Sequence, residues 1–168
     1  MPNRRPCKLD PALYVGPHRI FFTMCTLDRR RSFEDRALVE PAREELLRTS
    51  TAYRIELTAY VFMPDHLHGL IIGLADDSDL LKCMDMFRQR IGFGHKQQHA
   101  QRLWQEGYDD RFLRAEEDTL NVAAYIVANP IRAGLCRDIR EYPYLGSSRY
   151  SIEELIDAIA LLPARSKG

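Results

Sequence analysis

Two histidines stand two residues apart inside an apolar run. The stretch YVFMPDHLHGLI covers residues 60–71 and carries His66 and His68 on either side of Leu67. If this run is a strand, alternate side chains face opposite ways. Both imidazoles then share one face and Leu67 enters the core. Adjacent imidazoles on rigid backbone make a natural pair of metal ligands. The plainer alternative is two unrelated histidines on a polar sheet face. Two nitrogens do not complete a metal site, so at least one more donor is needed.

AAYIVANPIRAGL, residues 123–135, offers one. Tyr125 and Asn129 are four residues apart and so fall on one face of a helix. Asn129 precedes Pro130, and a residue before proline is pushed out of the helical region, which puts Asn129 at the helix end. It has two readings: a residue that stops helices well, or an amide oxygen offered to a metal. Tyr125 is either packing on an alanine-rich helix or a nucleophile one turn from that ligand.

The elements that must hold these residues are legible in the chain. HRIFFTMCTL (18–27) reads as a first strand, rich in β-branched and aromatic residues. DRALVEPAREELLRTS (35–50) has helical spacing, with Pro41 marking a turn or kink. IELTAYVFM (55–63) and HLHGLIIGL (66–74) are two strands, antiparallel because the connection at Pro64 and Asp65 is so short. DLLKCMDMFRQRIG (79–92) is a second helix, and LWQEGYDDRFLR (103–114) contains a fourth strand with a bulge or loop at EGYDD. DTLNVAAYIVAN (118–129) is a third helix stopped by Pro130. SIEELIDAIALL (151–162) is a terminal helix with Ser151 as N-cap and Glu154 three residues on. Strand, helix, strand, strand, helix, strand is the ferredoxin-like order, an α+β fold with an antiparallel sheet and two helices on one face.

Composition fits one soluble domain. The chain has 168 residues, 45% apolar and 29% charged. No apolar run is long enough to span a membrane, and the start MPNRRPCKLD lacks the apolar region of a signal peptide. Cys7, Cys25, Cys83 and Cys136 are dispersed with no CxxC pair, which argues against zinc ribbons and disulfide scaffolds and for a cytoplasmic protein. Net charge is zero, yet residues 1–31 hold seven Lys/Arg against two Asp, and residues 82–102 hold five against one. Arginines outnumber lysines twenty to four, and the guanidinium fork suits phosphate. These segments are either DNA contacts or solvated faces. His95 and His99, four apart, read as exposed polar positions or phosphate contacts. HxE with PCxxC, HExxH and GxxxxGK[ST] are all absent, which removes zinc deaminases, zincins and phosphate-loop enzymes.

Taken together, YVFMPDHLHGLI, LWQEGYDDRFLR, YIVANPIRAGL and YPYLGSS resemble the REP-associated tyrosine transposases, within the single-tyrosine HUH superfamily named for its His-hydrophobic-His motif. The resemblance runs from about Pro17 to Tyr150. It implies a ferredoxin-like core, a divalent cation, and cleavage of single-stranded DNA through a 5′-phosphotyrosine. His66 and His68 match the histidine pair, and Tyr125 matches the nucleophile. Asn129 matches the polar residue four positions later, where insertion-sequence relatives carry Gln. The implied substrate is a hairpin with a short recognition tetranucleotide beside its stem.

The chemistry is coherent. A phenol titrates at about 10 and attacks a phosphodiester poorly at neutral pH without help. A metal on His66, His68 and Asn129 can polarise the phosphorus, and mixed nitrogen and oxygen ligation suits Mg²⁺ or Mn²⁺. The covalent product keeps the energy of the broken bond, so a free 3′-hydroxyl can rejoin the strand. The DNA path is expected along Arg29, Arg30, Arg31, Arg88, Arg90, Lys96, Arg111 and Arg114, with Arg132 at the scissile phosphate. The alternative is a non-catalytic single-stranded nucleic-acid-binding module, and a third reading is a hydrolase with Tyr125 structural. Residues 1–16 are expected as a basic arm, 17–135 as the catalytic core and 136–168 as a C-terminal extension of one domain. About four residues join the fourth strand to the tyrosine helix and reach at most about 14 Å, so a monomer with a complete site is expected rather than a dimer.

Overall fold

The computed structural model describes residues 8–163, so Cys7 and the start of the basic arm, residues 1–7, lie outside the described residues. Four strands form where the sequence places them: β1 (Arg19–Cys25), β2 (Ile55–Met63), β3 (His66–Gly73) and β4 (Asp109–Phe112). A fifth, β5 (Leu145–Gly146), comes from the YPYLGSS stretch. The sheet order is β4-β1-β3-β2-β5, and every neighbouring pair is antiparallel. The first four strands have the order of a ferredoxin-like sheet.

Helices cover both faces. On one lie α1 (Arg36–Ala52) and α2 (Leu80–His99). They close a core with Ile20, Phe22 and Met24 of β1, Leu67 and Ile71 of β3, and Phe62 of β2. On the other lie α3 (Thr119–Val127), followed by the short α4 (Asn129–Arg132), and α5 (Ile152–Leu161). Ala123, Ile126 and Leu155 from this layer pack on Ala59, Val61, Met63 and Leu70. The face that the strand pattern leaves open for function is thus occupied by the tyrosine helix and the terminal helix.

Local chemistry sets the boundaries. Asp35, Asp79 and Asp118 cap α1, α2 and α3 by accepting from Ala37, Lys82 and Asn121 backbone N–H groups. Ser151 and Glu154 form the expected capping box at α5. Pro41 lies within α1 on its exposed side without ending the helix. Helix α2 runs past Gly92 to His99, beyond the expected stop. A Cβ at Gly92 would lie 3.0 Å from the Trp104 ring, so the glycine admits Trp104 rather than ending the helix. Pro130 does not stop the chain either. The helix breaks at Ala128 and restarts at once with Pro130 in the first turn of α4, where its missing N–H is not needed.

Strand β2 changes register between Leu57 and Ala59. This bulge swaps the faces, so Ile55 and Leu57 but then Tyr60 and Phe62 point toward α1 and α2. The displaced carbonyls are met from YPYLGSS: Ser147 Oγ donates to Thr58 O, and Ser148 donates to Leu57 O through both N–H and Oγ. Tyr142 Oη donates to Phe62 O at 2.7 Å. The C-terminal extension is therefore stitched into the sheet. So is part of the arm, since Tyr14 is buried and donates to Asp110 at 2.6 Å.

Gly69 sits between the histidine-bearing face and Phe22. A Cβ there would fall 2.4 Å from the Phe22 ring, which is itself buried. Gly69→Ala is expected to destabilise the protein by about 1–3 kcal/mol, measured as a shift in the urea unfolding midpoint at unchanged slope.

Candidate active site

The PD turn ends β2 and sends β3 back beside it, and strand alternation then does the positioning. Leu67 is fully buried toward α1 and α2, while His66 and His68 face α3. Their Nε2 atoms approach to 3.0 Å and their rings stand edge to face, 4.5 Å apart. Each outer nitrogen is engaged. His66 Nδ1 is 2.6 Å from Asp65 Oδ1, and Arg29 Nε donates to the other carboxylate oxygen at 2.9 Å. His68 Nδ1 is 2.8 Å from Thr23 Oγ1, its partner across the β1–β3 ladder.

Asp65 accepts from Nδ1–H of His66 and leaves the Nε2 lone pair facing inward. Thr23 can accept from Nδ1–H of His68 and do the same. Burial, reinforced by His66, Arg132 and Arg29, pushes His68 down to about 3. Burial also lowers His66, with Asp65 opposing and Arg29 assisting. Both rings are therefore neutral at physiological pH, the state in which imidazole binds metal.

Beside them opens a cavity of about 1070 Å³, lined among others by Phe21, His68, Asn121, Tyr125, Ile131 and Arg132. Tyr125 is 40% exposed, so its phenol is reachable. Arg132 lies over the Tyr125 ring, 4.0 Å from its centre, and donates to the Tyr125 carbonyl at 2.8 Å. The model of the family described as "Transposase IS200 like" matches residues 15–129, and this span contains the histidine strand and the tyrosine helix. The chain belongs to the IS200-like transposases. They are DNA nicking and joining enzymes of the HUH type. A REP-associated tyrosine transposase of Haemophilus influenzae is 25% identical over 136 residues, covering 74% of this chain and 76% of that one. A solved structure of a REP-associated tyrosine transposase bound to a REP hairpin superposes with a TM-score of 0.65 at 18% identity, covering 79% of this chain and 78% of that chain. The likeness to that structure is one of fold.

In this IS200-like transposase, His68, Tyr125 and Arg132 share one cavity. Asn129 does not line it. Its half-buried amide donates through Nδ2 to Ile126 O at 3.0 Å, which leaves Oδ1 without a described partner. Among the described residues, no three His, Cys, Asp or Glu side chains converge on a metal position. A divalent cation still fits the pair: two inward nitrogens 3.0 Å apart are close to the spacing of neighbouring ligands around one ion. At about 2.1 Å from each nitrogen, such ligands stand about 3 Å apart.

Several arginines expected on the DNA path have protein partners. Arg31 pairs with Glu34, Arg90 with Glu45, and Arg111 with Glu117. Arg30 reaches Gln101, and Arg29 is the second partner of Asp65. Arg114 is exposed, and Arg88 and Lys96 line a separate cavity against Trp104. Sequence reading missed Thr23, whose role depends on strand register. Both carboxylate oxygens of Asp65 are engaged, with His66 and Arg29, so Asp65 is a poor base for Tyr125.

The lowered His68 pKa sets a pH dependence. An unfolded imidazole takes up its proton near about pH 6.5, whereas folded His68 resists it until about 3. The unfolded state binds more protons between these values, so stability is level above the upper one and falls as pH drops below it. In metal-free protein, His68→Gln is expected to lose less thermal stability than wild type between about pH 7 and pH 5; parallel losses would refute the buried neutral state. Thr23→Val keeps the shape and removes the hydroxyl. It is expected to lower Mn²⁺ affinity by about tenfold, read by paramagnetic resonance titration.

Proposed function

We propose that this transposase cleaves single-stranded DNA beside a hairpin and joins the 5′-phosphate to Tyr125. The observation that carries the reading is the cavity that His68, Tyr125 and Arg132 share, with His66 Nε2 3.0 Å from His68 Nε2. The hairpin substrate is supported by the similar solved transposase bound to a REP hairpin.

In this reading Tyr125 Oη attacks the phosphorus and the bond to the 3′-oxygen breaks. The products are a phosphotyrosine ester and a free 3′-hydroxyl, and the phenolic proton leaves to solvent. The reverse attack by a 3′-hydroxyl joins strands and restores the phenol without an external energy source. Arg132 supplies positive charge beside Tyr125 to a phosphodiester entering the cavity. Tyr125 sits on a helix packed against the sheet, so its approach is positioned rather than searched for.

His66 and His68 would hold a divalent cation, Mg²⁺ or Mn²⁺, with the Asn129 amide oxygen as the candidate third donor. When bound, the ion supplies Lewis-acid polarisation of the phosphoryl group and charge for the leaving oxygen. Asp65 and Thr23 fix the two ring orientations so that neither imidazole must reorganise on binding.

The site is proposed to be complete in one chain. Helix α3 packs on β2 and β3 of its own sheet, and the link from Phe112 to Thr119 is short. Tyr125→Phe is expected to abolish both cleavage of a hairpin with single-stranded flanks and the protein–DNA adduct on denaturing electrophoresis, and EDTA to abolish cleavage by wild type. Mixing Tyr125→Phe with His66→Ala protein is expected to stay inactive. An adduct formed by Tyr125→Phe would overturn the nucleophile, and recovered cleavage in the mixture would overturn the single-chain site.

A further inference from the structure

A second cavity, of about 450 Å³, lies on the other side of the sheet between the C-terminal half of α2 and the segment that leads to β4. Arg88, Gln89, Gly92, Lys96, Arg102 and Trp104 contribute to its lining. Three of these carry positive charge, and among the described residues none of the three is in a salt bridge. The one acid at the rim, Asp85, accepts from Tyr108 Oη at 2.8 Å. Three cations against one carboxylate leave the hollow net positive, a place for an anion.

The hollow is built rather than incidental. Gly92 admits Trp104, whose Nε1 donates to Arg88 O at 2.9 Å. The Arg88 guanidinium donates to Gln105 O and lies 5.4 Å from the Tyr108 ring centre, so it is held before any ligand arrives. Its buried Nε–H meets no described acceptor. Beside the hollow stands Phe93, 63% exposed. It lies one turn after Gln89 and one turn before Lys96, on the helix stripe that lines the hollow. A solvent-exposed aromatic next to unpaired cations is the pairing that binds single strands, with the ring taking a base and the cations a phosphate. A protein partner would call for an apolar surround, which these charges do not provide.

The hollow also lies at the same end of the sheet as the histidines. Thr26, directly after β1, donates to Asp65 O and forms an isolated bridge with Trp104. The next residue, Leu27, donates to Leu103 O, and Arg30 reaches Gln101. The segment that lines the hollow is thus tied through residues 26–30 to the turn that carries Asp65.

We infer that this hollow and Phe93 form a nucleotide subsite that holds the single-stranded flank of the DNA, phosphate against Arg88, Lys96 and Arg102 and base on Phe93. The subsite rests on the reading of the chain as a single-strand nuclease. The test compares wild type with a Phe93→Ala, Arg102→Ala double variant, whose changed side chains are exposed and whose thermal melting should match wild type. The probes are one fluorescent hairpin carrying a long single-stranded tail and the same hairpin without it. The variant is expected to bind the tailed probe about tenfold more weakly, to lose about one unit of salt slope on it, and to bind the untailed probe within about twofold of wild type. Adduct formation at saturating tailed DNA should persist. Unchanged affinity for the tailed probe, or an equal loss on both probes, overturns the subsite. Wild-type protein that never forms an adduct, yet loses tailed affinity on substitution, overturns the nuclease reading and leaves the subsite standing.

Discussion

Two imidazoles on the central strand are held neutral and facing each other, and much of the molecule contributes to that arrangement. Strand β3 is flanked by β1 and β2, so its backbone is fully paired and cannot tilt. Gly69 lets Phe22 pack directly behind the pair, and Leu67 anchors the strand from the far side. Asp65 and Thr23 then hold the outer ring nitrogens. Burial sets the charge state and the hydrogen bonds set the direction. The active face is thus rigid in backbone and in side chain before any substrate arrives.

The second element is the tyrosine proposed as nucleophile, brought to that face. Helix α3 supplies it by packing Ala123 and Ile126 into the apolar layer over β2 and β3, which leaves Tyr125 at the cavity. Arg132, seven residues on and so two turns along the same face, reaches back from α4 to the Tyr125 ring. Tyr125 shares its cavity with Ala128 and Arg132, and Asn129 turns its amide back to Ile126 O.

Much of this is legible in the sequence, for identifiable reasons. Strand periodicity is local and strict, so the common face of His66 and His68 and the burial of Leu67 follow from spacing alone. The Ser151 capping box is equally local. What spacing does not carry is register. Thr23 meets His68 only because β1 pairs with β3 in one alignment, and Arg90 finds Glu45 from a distant helix. Several cations of the basic segments therefore have acidic partners that spacing does not reveal. Helix continuity through Asn129 fails because a proline placed in a first turn restarts a helix as readily as it ends one. Strand β5 escapes notice because two residues carry no pattern, though its serines serve a bulge in β2.

The layer over the histidines comes late in the chain. Residues through α2 suffice for the three central strands and for both helices on the far face. Ala59, Val61, Met63 and Leu70 receive their cover only from α3 and α5. During synthesis the sheet would emerge with one side finished and the other bare, its histidines exposed to water. A chain released before Thr119 could hold the histidine strand but neither the tyrosine nor the roof above it. The order in which the polypeptide is made thus brings the tyrosine to the histidine face only after the sheet beneath it exists.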